Sequence, residues 1–302
     1  MGDVSLPGIS MQDLTKYYGT QRGVEDITFD VNAGEVVGFL GPNGSGKTTV
    51  MRMLMGLLHI TRGSAQILGS PVAVKDPSVR AQVGYLPGTL GLHKNQTVGE
   101  YLQYMADMRS VDCSRNIAAL CERFSVDPSR DISSLSKGNK QKVGVIQAFM
   151  HSPRVLILDE PTSGLDPIVQ REFENLLAES RDNGAAVLLS SHVMHEVEVL
   201  ATRVAIINNG SLVVVGDVNT MKARTLRTLK FDFDQEVHAS VFEGVEGVHS
   251  VNAAGHSVEC TVVGSETAVL QLAVAHNVRS VTSHEPSLED IFITETENHH
   301  AS

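Results

Sequence analysis

Glu35-Val-Val-Gly-Phe-Leu40 runs directly into Gly41-Pro-Asn-Gly-Ser-Gly-Lys47-Thr48. The apolar stretch is short and passes into glycine, as a buried strand feeding a loop does. Helix-type spacing follows over residues 48–58, where Met51, Leu54, Met55 and Leu58 share one face. The loop fits G-x-x-x-x-G-K-[ST] in full, between a strand and a helix. Its glycines let backbone N–H groups converge on phosphate oxygens without a Cβ in the way, and the helix start adds a favourable field for an anion. Lys47 is placed to reach β- and γ-phosphates, and the Thr48 hydroxyl to bind Mg²⁺. A glycine-rich turn matching by chance would lack the flanking strand and helix.

Outward from the loop, residues 24–31 read as a strand. Thr97-Val-Gly-Glu100 fits a capping box ahead of Tyr101, Leu102, Met105 and Met108, and residues 97–150 read as mostly helical. Val155-Leu-Ile-Leu158 is a second buried strand, running into Asp159 and Glu160. There Asp159 is placed to hold Mg²⁺ and Glu160 to polarise an attacking water. A helix over 168–181, a buried strand over 185–190 and a helix over 193–200 complete an alternation that implies a mainly parallel sheet. After about Lys222 the character changes. Strands over 229–233, 248–253, 258–262 and 278–283, with helices over 235–242 and 266–275, give the β-α-β-β-α-β order of a ferredoxin-like module. The expected division is therefore 1–222 and 223–302, with a polar, frayed tail over 295–302.

The chain has 302 residues and is 42% hydrophobic, enough for a large domain plus a smaller one. Its 24 basic residues stand against 35 acidic ones, a net charge of −11 that argues against nucleic-acid binding. Cys113, Cys121 and Cys260 show no metal-type pairing and read as reduced thiols in a cytosolic setting. No apolar run approaches the roughly 18–20 residues that cross a bilayer. The first ten residues lack a basic region followed by an apolar stretch, so they do not read as a secretory signal. The expectation is a soluble chain whose membrane role, if it has one, comes through a partner. His192 and His195 without a nearby third ligand make a weak zinc site.

Taken together, these motifs resemble the ATPase subunit of an ATP-binding cassette (ABC) transporter over about residues 4–220. Leu135-Ser136-Lys137-Gly138-Asn139 resembles the family signature, usually LSGGQ, and Lys140-Gln141-Lys142-Val143 continues it. Ser163-Gly164-Leu165-Asp166 resembles the D-loop, and His192 in Ser190-Ser191-His192 the switch histidine. Tyr18 sits where the family keeps an aromatic that stacks on adenine.

The resemblance implies an α/β P-loop ATPase cassette with a mainly parallel core sheet, an antiparallel β subdomain and a helical subdomain at about 97–150. A small ferredoxin-like α+β C-terminal domain follows. It implies ATP bound by Tyr18, Gly41, Asn43, Gly44, Ser45, Gly46, Lys47, Thr48 and Thr49, Mg²⁺ on Thr48 and Asp159, and catalysis by Glu160 and His192. It also implies a second cassette packed head to tail, as homodimer or heterodimer, with Ser136 and Gly138 meeting the partner's γ-phosphate. Transmembrane permease subunits would be separate chains, with this one peripheral on the cytoplasmic side of the membrane. Lys137 in the third signature position, and Pro286-Ser-Leu-Glu-Asp290-Ile-Phe292 near the end, point to the branch that exports drugs, lipids or polymers. A soluble ATP-driven switch is the alternative, although the paired cassettes or long coiled-coil insertions of such proteins are not seen. One departure stands out. In Val83-Gly84-Tyr85-Leu86-Pro87-Gly88, glycine occupies the position where the family has a glutamine that touches Mg²⁺ or water and senses the membrane partner.

Overall fold

Three strands, β3 (Val36–Leu40), β7 (Val155–Asp159) and β8 (Ala186–Ser191), are buried at every position, as strands covered on both faces must be. The computed structural model describes residues 6–74, 78–224, 226–284 and 287–300. The other strands of the first sheet are β1 (Ile9–Tyr18), β2 (Gln21–Val31), β4 (Arg62–Ile67), β5 (Ser70–Pro71), β6 (Val83–Leu86), β9 (Arg203–Asn208) and β10 (Ser211–Asp217). They lie in the order β5-β4-β1-β2-β10-β9-β3-β8-β7-β6. The half from β9 to β6 is parallel, and β1, β2, β4 and β5 pair antiparallel. The parallel register sets Leu40 beside Ser191, Asp159 beside Ser190 and Leu86 beside Leu158. Four strand ends, those of β3, β6, β7 and β8, with the loops that follow them, thus open on one side, where open α/β sheets bind ligands.

The helices in this part are α1 (Lys47–Leu54), α2 (Ser78–Ala81), α3 (Val98–Asp107), α4 (Ser114–Arg123), α5 (Lys137–Phe149), α6 (Pro167–Asp182) and α7 (Met194–Leu200). Helix α1 stops four residues before the expected end at 58. Gly56 takes a left-handed conformation at φ 60, and the Leu57 N–H turns back to the Arg52 carbonyl at 2.8 Å, a glycine-terminated end. The capping box ahead of α3 forms as read. The Glu100 N–H donates to Thr97 Oγ1 at 3.2 Å, and the Thr97 N–H to Glu100 Oε2 at 2.8 Å. Phe39, Met51, Met53 and Ile157 anchor one large apolar core between the sheet and α1.

The chain divides into two compact units between Val215 and Gly216. The division falls before α8 (Val218–Arg224), seven residues ahead of the expected boundary at 222/223. The second unit continues with β11 (Arg227–Phe233), β12 (Val248–Ala254), β13 (Ser257–Val262), α9 (Thr267–Ala275), β14 (Val278–His284) and α10 (Leu288–His300). Its sheet order is β12-β13-β11-β14, antiparallel throughout, which is the ferredoxin-like order. The helix expected over 235–242 does not form, and only a single 3₁₀ turn occupies Ala239–Val241. Gly244 and Gly247 are both left-handed, at φ 78 and 85. Val237 and Phe242 must reach the core within the same short span, leaving too little chain for a helix. Phe242 stacks on Phe231 at 5.5 Å and 9°.

Helix α10 is begun by a second reciprocal cap. Ser287 N–H and Oγ donate to Asp290 Oδ2 at 2.8 and 2.7 Å, and the Asp290 N–H returns to Ser287 Oγ at 3.2 Å. Leu288 and Ile291 bury behind it. That gives the Ser287-Leu-Glu-Asp290 stretch a structural role, and the tail expected to fray is helical to His300.

Truncating Phe231 removes the centre of the small core. Phe231→Ala is expected to cost the second unit about 3–5 kcal/mol, measured as a shifted midpoint in denaturant unfolding.

Candidate active site

The turn after β3 is shaped by its glycines. Gly44 and Gly46 adopt φ 82 and 112, and a Cβ on Gly46 would stand 2.3 Å from Val24 Cγ1. No other residue fits there without displacing β2. Gly46 is the N-cap of α1 and offers no side-chain cap, so the first-turn N–H groups remain available to an anion. Ser45 Oγ is buried with no hydrogen-bond partner among the described residues. Lys47 is almost fully buried, and its Nζ curls over its own loop, donating to the carbonyls of Gly41 at 2.6 Å and Pro42 at 3.1 Å. Burial lowers its pKa, and the nearby Glu160 and Asp159 carboxylates oppose that shift. An orphaned hydroxyl, free helix-end donors and a desolvated ammonium make a cradle that fits a chain of phosphates.

Asp159 is 1% exposed. Its Oδ1 accepts from Ser190 Oγ at 2.6 Å, and its Oδ2 from Thr48 Oγ1 at 2.8 Å. The Thr48 hydroxyl and Asp159 carboxylate therefore meet at the phosphate end of the loop as hard oxygen donors, the set that suits a divalent cation. Glu160, next along, has the left-handed backbone φ of 52. Its N–H is fixed by Ser190 O at 3.2 Å and Ser190 Oγ at 3.1 Å. His192 Nδ1 lies 2.7 Å from Glu160 Oε2. A carboxylate only accepts, so this bond requires the proton on Nδ1.

One cavity is lined by Asn43, Gly44, Gly46, Lys47, Thr48, Thr49, Asp159 and Glu160. The Tyr18 hydroxyl reaches Thr49 Oγ1 at 3.5 Å, and Lys16 Nζ sits 5.3 Å from the centroid of the half-exposed Tyr18 ring. Ser136 and Gly138 do not line the cavity among the described residues. Ser136 Oγ caps α5 by accepting from the Asn139 N–H at 3.2 Å, and a Cβ on Gly138 would come within 2.8 Å of the Gly164 carbonyl. At Gly88, a Cβ would point at the carboxylate, 3.1 Å from Asp159 Oδ2. Glycine thus lets the backbone pass close to that carboxylate, where a side chain would press against it.

Two residues of this neighbourhood escaped sequence reasoning. Ser190 stood beside the histidine motif, but its hydrogen bonds to Asp159 and Glu160 depend on the strand order. Glu196 takes the Thr162 hydroxyl at 2.6 Å, and the Gln170 amide and Ser191 hydroxyl at 3.4 and 3.5 Å, joining the segment after Glu160 to the segment that carries His192.

The family model described as "ABC transporter" matches residues 24–163. The ABC transporter ATP-binding protein YhaQ of Bacillus subtilis is 31% identical, with the match covering 94% of this chain and 97% of the relative. The bacitracin transport ATP-binding protein BcrA of Bacillus licheniformis is 32% identical over 94% of this chain and 96% of the relative. Among solved structures, one titled as the ATP-binding subunit of an ABC transporter superposes with a TM-score of 0.68 at 32% identity, covering 71% of this chain and 91% of that one. No helix among the described residues is long and apolar enough to cross a membrane. Fold, phosphate cradle and full-length relatives converge, and the chain belongs to the ATP-binding subunits of ABC transporters, ATPases that work with transmembrane components and pair as cassettes.

Proposed function

We propose that this chain powers export, of a drug, lipid or polymer, through permease subunits on separate chains, from a peripheral position on the cytoplasmic side of the membrane. The observation that carries the reading is the likeness to the bacitracin transport protein, which runs over 94% of the chain and so extends past the cassette into the second unit. The acidic balance of the chain supports a partner other than nucleic acid.

In this reading Gly41, Asn43, Gly44, Ser45, Gly46, Lys47, Thr48 and Thr49 hold the phosphates of ATP, and Tyr18 stacks on the base. Thr48 and Asp159 would hold Mg²⁺, which would supply charge neutralisation between the β- and γ-phosphates. Glu160 accepts a hydrogen bond from the attacking water, and His192 holds that carboxylate in place through Nδ1. Water adds to the γ-phosphorus as the bond to the β-bridging oxygen breaks, leaving ADP and phosphate. Ser136 and Gly138, outside the cavity built by their own chain, serve the ATP of a second cassette packed head to tail. ATP then bridges the pair, and hydrolysis releases it, a ligand-biased two-state element.

Mild-detergent affinity isolation from native membranes, followed by mass spectrometry, tests the assignment. A polytopic membrane protein in stoichiometric yield is expected; soluble partners alone would favour an ATP-driven switch not tied to transport. Glu160→Gln is expected to keep ATP binding, lose hydrolysis and elute as a dimer with ATP in gel filtration, whereas a persistent monomer would count against the sandwich. Gly88→Gln places an amide side chain against Asp159 and is expected to raise the rate of phosphate release. An unchanged rate would show that the missing glutamine does not limit turnover.

A further inference from the structure

Glu160 is held in a conformation that its neighbours in sequence oppose. Its φ of 52 is left-handed, which a side chain with a Cβ disfavours. It also precedes Pro161, and a residue before proline is pushed toward extended backbone. A conformation that local chemistry resists persists only when surrounding contacts fix it. Two contacts do so. Ser190 fixes the Glu160 N–H, as described. The other end is fixed from α5: Gln141 Nε2 donates to the Pro161 carbonyl at 2.9 Å and to the Glu160 carbonyl at 3.3 Å. Gln141 is 7% exposed, so this amide is set inside the protein. It lies three residues after Gly138, one turn along α5 from the signature residues.

We propose that Gln141 is a positioning residue for ATP hydrolysis, holding the Glu160–Pro161 backbone from the signature helix so that the placement of α5 sets the direction of the Glu160 carboxylate. The inference rests on the reading of Glu160 given above. Just beyond, the Thr162 hydroxyl is held by Glu196. A shift of α5 therefore acts on a segment tied at its far side to α7 and the His192 loop. Without the Gln141 donors, nothing on the α5 side keeps the two carbonyls turned inward. With only the Ser163 N–H left on the Glu160 carbonyl, and none on that of Pro161 among the described residues, the backbone relaxes toward the extended form that Pro161 favours, which swings the carboxylate off His192.

The test uses the full chain with three substitutions. Gln141→Leu removes the donors at similar size. Gln141→Lys keeps a donor. Gln141→Glu presents an acceptor to two carbonyls and regains an O–H donor only when protonated, which burial beside carbonyl oxygens favours at higher pH than usual. Gln141→Leu is expected to lower kcat about tenfold to a hundredfold while the ATP Kd, measured by calorimetry, stays within about twofold. Gln141→Lys recovers part of that loss. For Gln141→Glu, kcat relative to the unsubstituted chain rises as pH falls. Native kcat in Gln141→Leu, a pH-independent ratio in Gln141→Glu, or losses that follow Tm regardless of donor capacity would overturn the proposal. If Gln141→Leu does not fold, the pH series of Gln141→Glu decides alone. Glu160→Gln is assayed alongside. If it retains turnover, the reading of Glu160 fails and this inference falls with it. If it is inactive while the Gln141 variants behave as the native chain, only the positioning role is lost.

Discussion

The buried carboxylate of Asp159 is the constraint on which the site is built. A charge taken out of water at the end of a fully buried strand carries a penalty of several kcal/mol unless donors surround it. Here the donors are two hydroxyls from different elements, Ser190 at the end of β8 and Thr48 in the first turn of α1. Satisfying one carboxylate therefore brings the phosphate loop, β7 and β8 to a common point. Ser190 then serves a second purpose, because the same side chain and its carbonyl fix the N–H of Glu160. The order of strands in the sheet, more than any single loop, decides that the Thr48–Asp159 oxygen pair and the Glu160 carboxylate stand together.

Much of this was legible in the sequence because it is local. Buried strands announce themselves as Val36–Leu40 and Val155–Asp159 do. A phosphate loop is a run of adjacent residues, and a capping box such as Thr97 to Glu100 closes within one turn. The contacts that escaped notice are long in sequence. Ser190 and Asp159 are 31 residues apart, and Thr162 and Glu196 are 34 apart, with no pattern along the chain to mark them. The missed turn in the second unit has another cause. The stretch 235–242 carries residues a helix tolerates, yet the demand of Phe242 for the Phe231 face and the left-handed glycines after it override local preference. Helix α1 shows the same lesson on a smaller scale, since Gly56 ended a periodic apolar face that continued past it.

The position of the signature residues outside the cavity of their own chain changes how the machine is to be understood. The described residues bring together a phosphate cradle, a hydroxyl–carboxylate pair and a carboxylate–imidazole pair, while Ser136 caps α5 and Gly138 lies beside Gly164, neither lining that cavity. Helix α5 thus faces two ways, outward through its first turn and inward through Gln141. In the head-to-tail pair proposed above, it would link the nucleotide met by its first turn to the backbone that Gln141 holds at Glu160.

The left-handed backbone of Glu160 also bears on the stability of the fold. A non-glycine residue held at positive φ weakens the folded state by about 1–3 kcal/mol, and at this position proline follows as well. Replacement by glycine would relieve that burden. In the reading proposed for Glu160, that lost stability is what holding its carboxylate against His192 costs the fold.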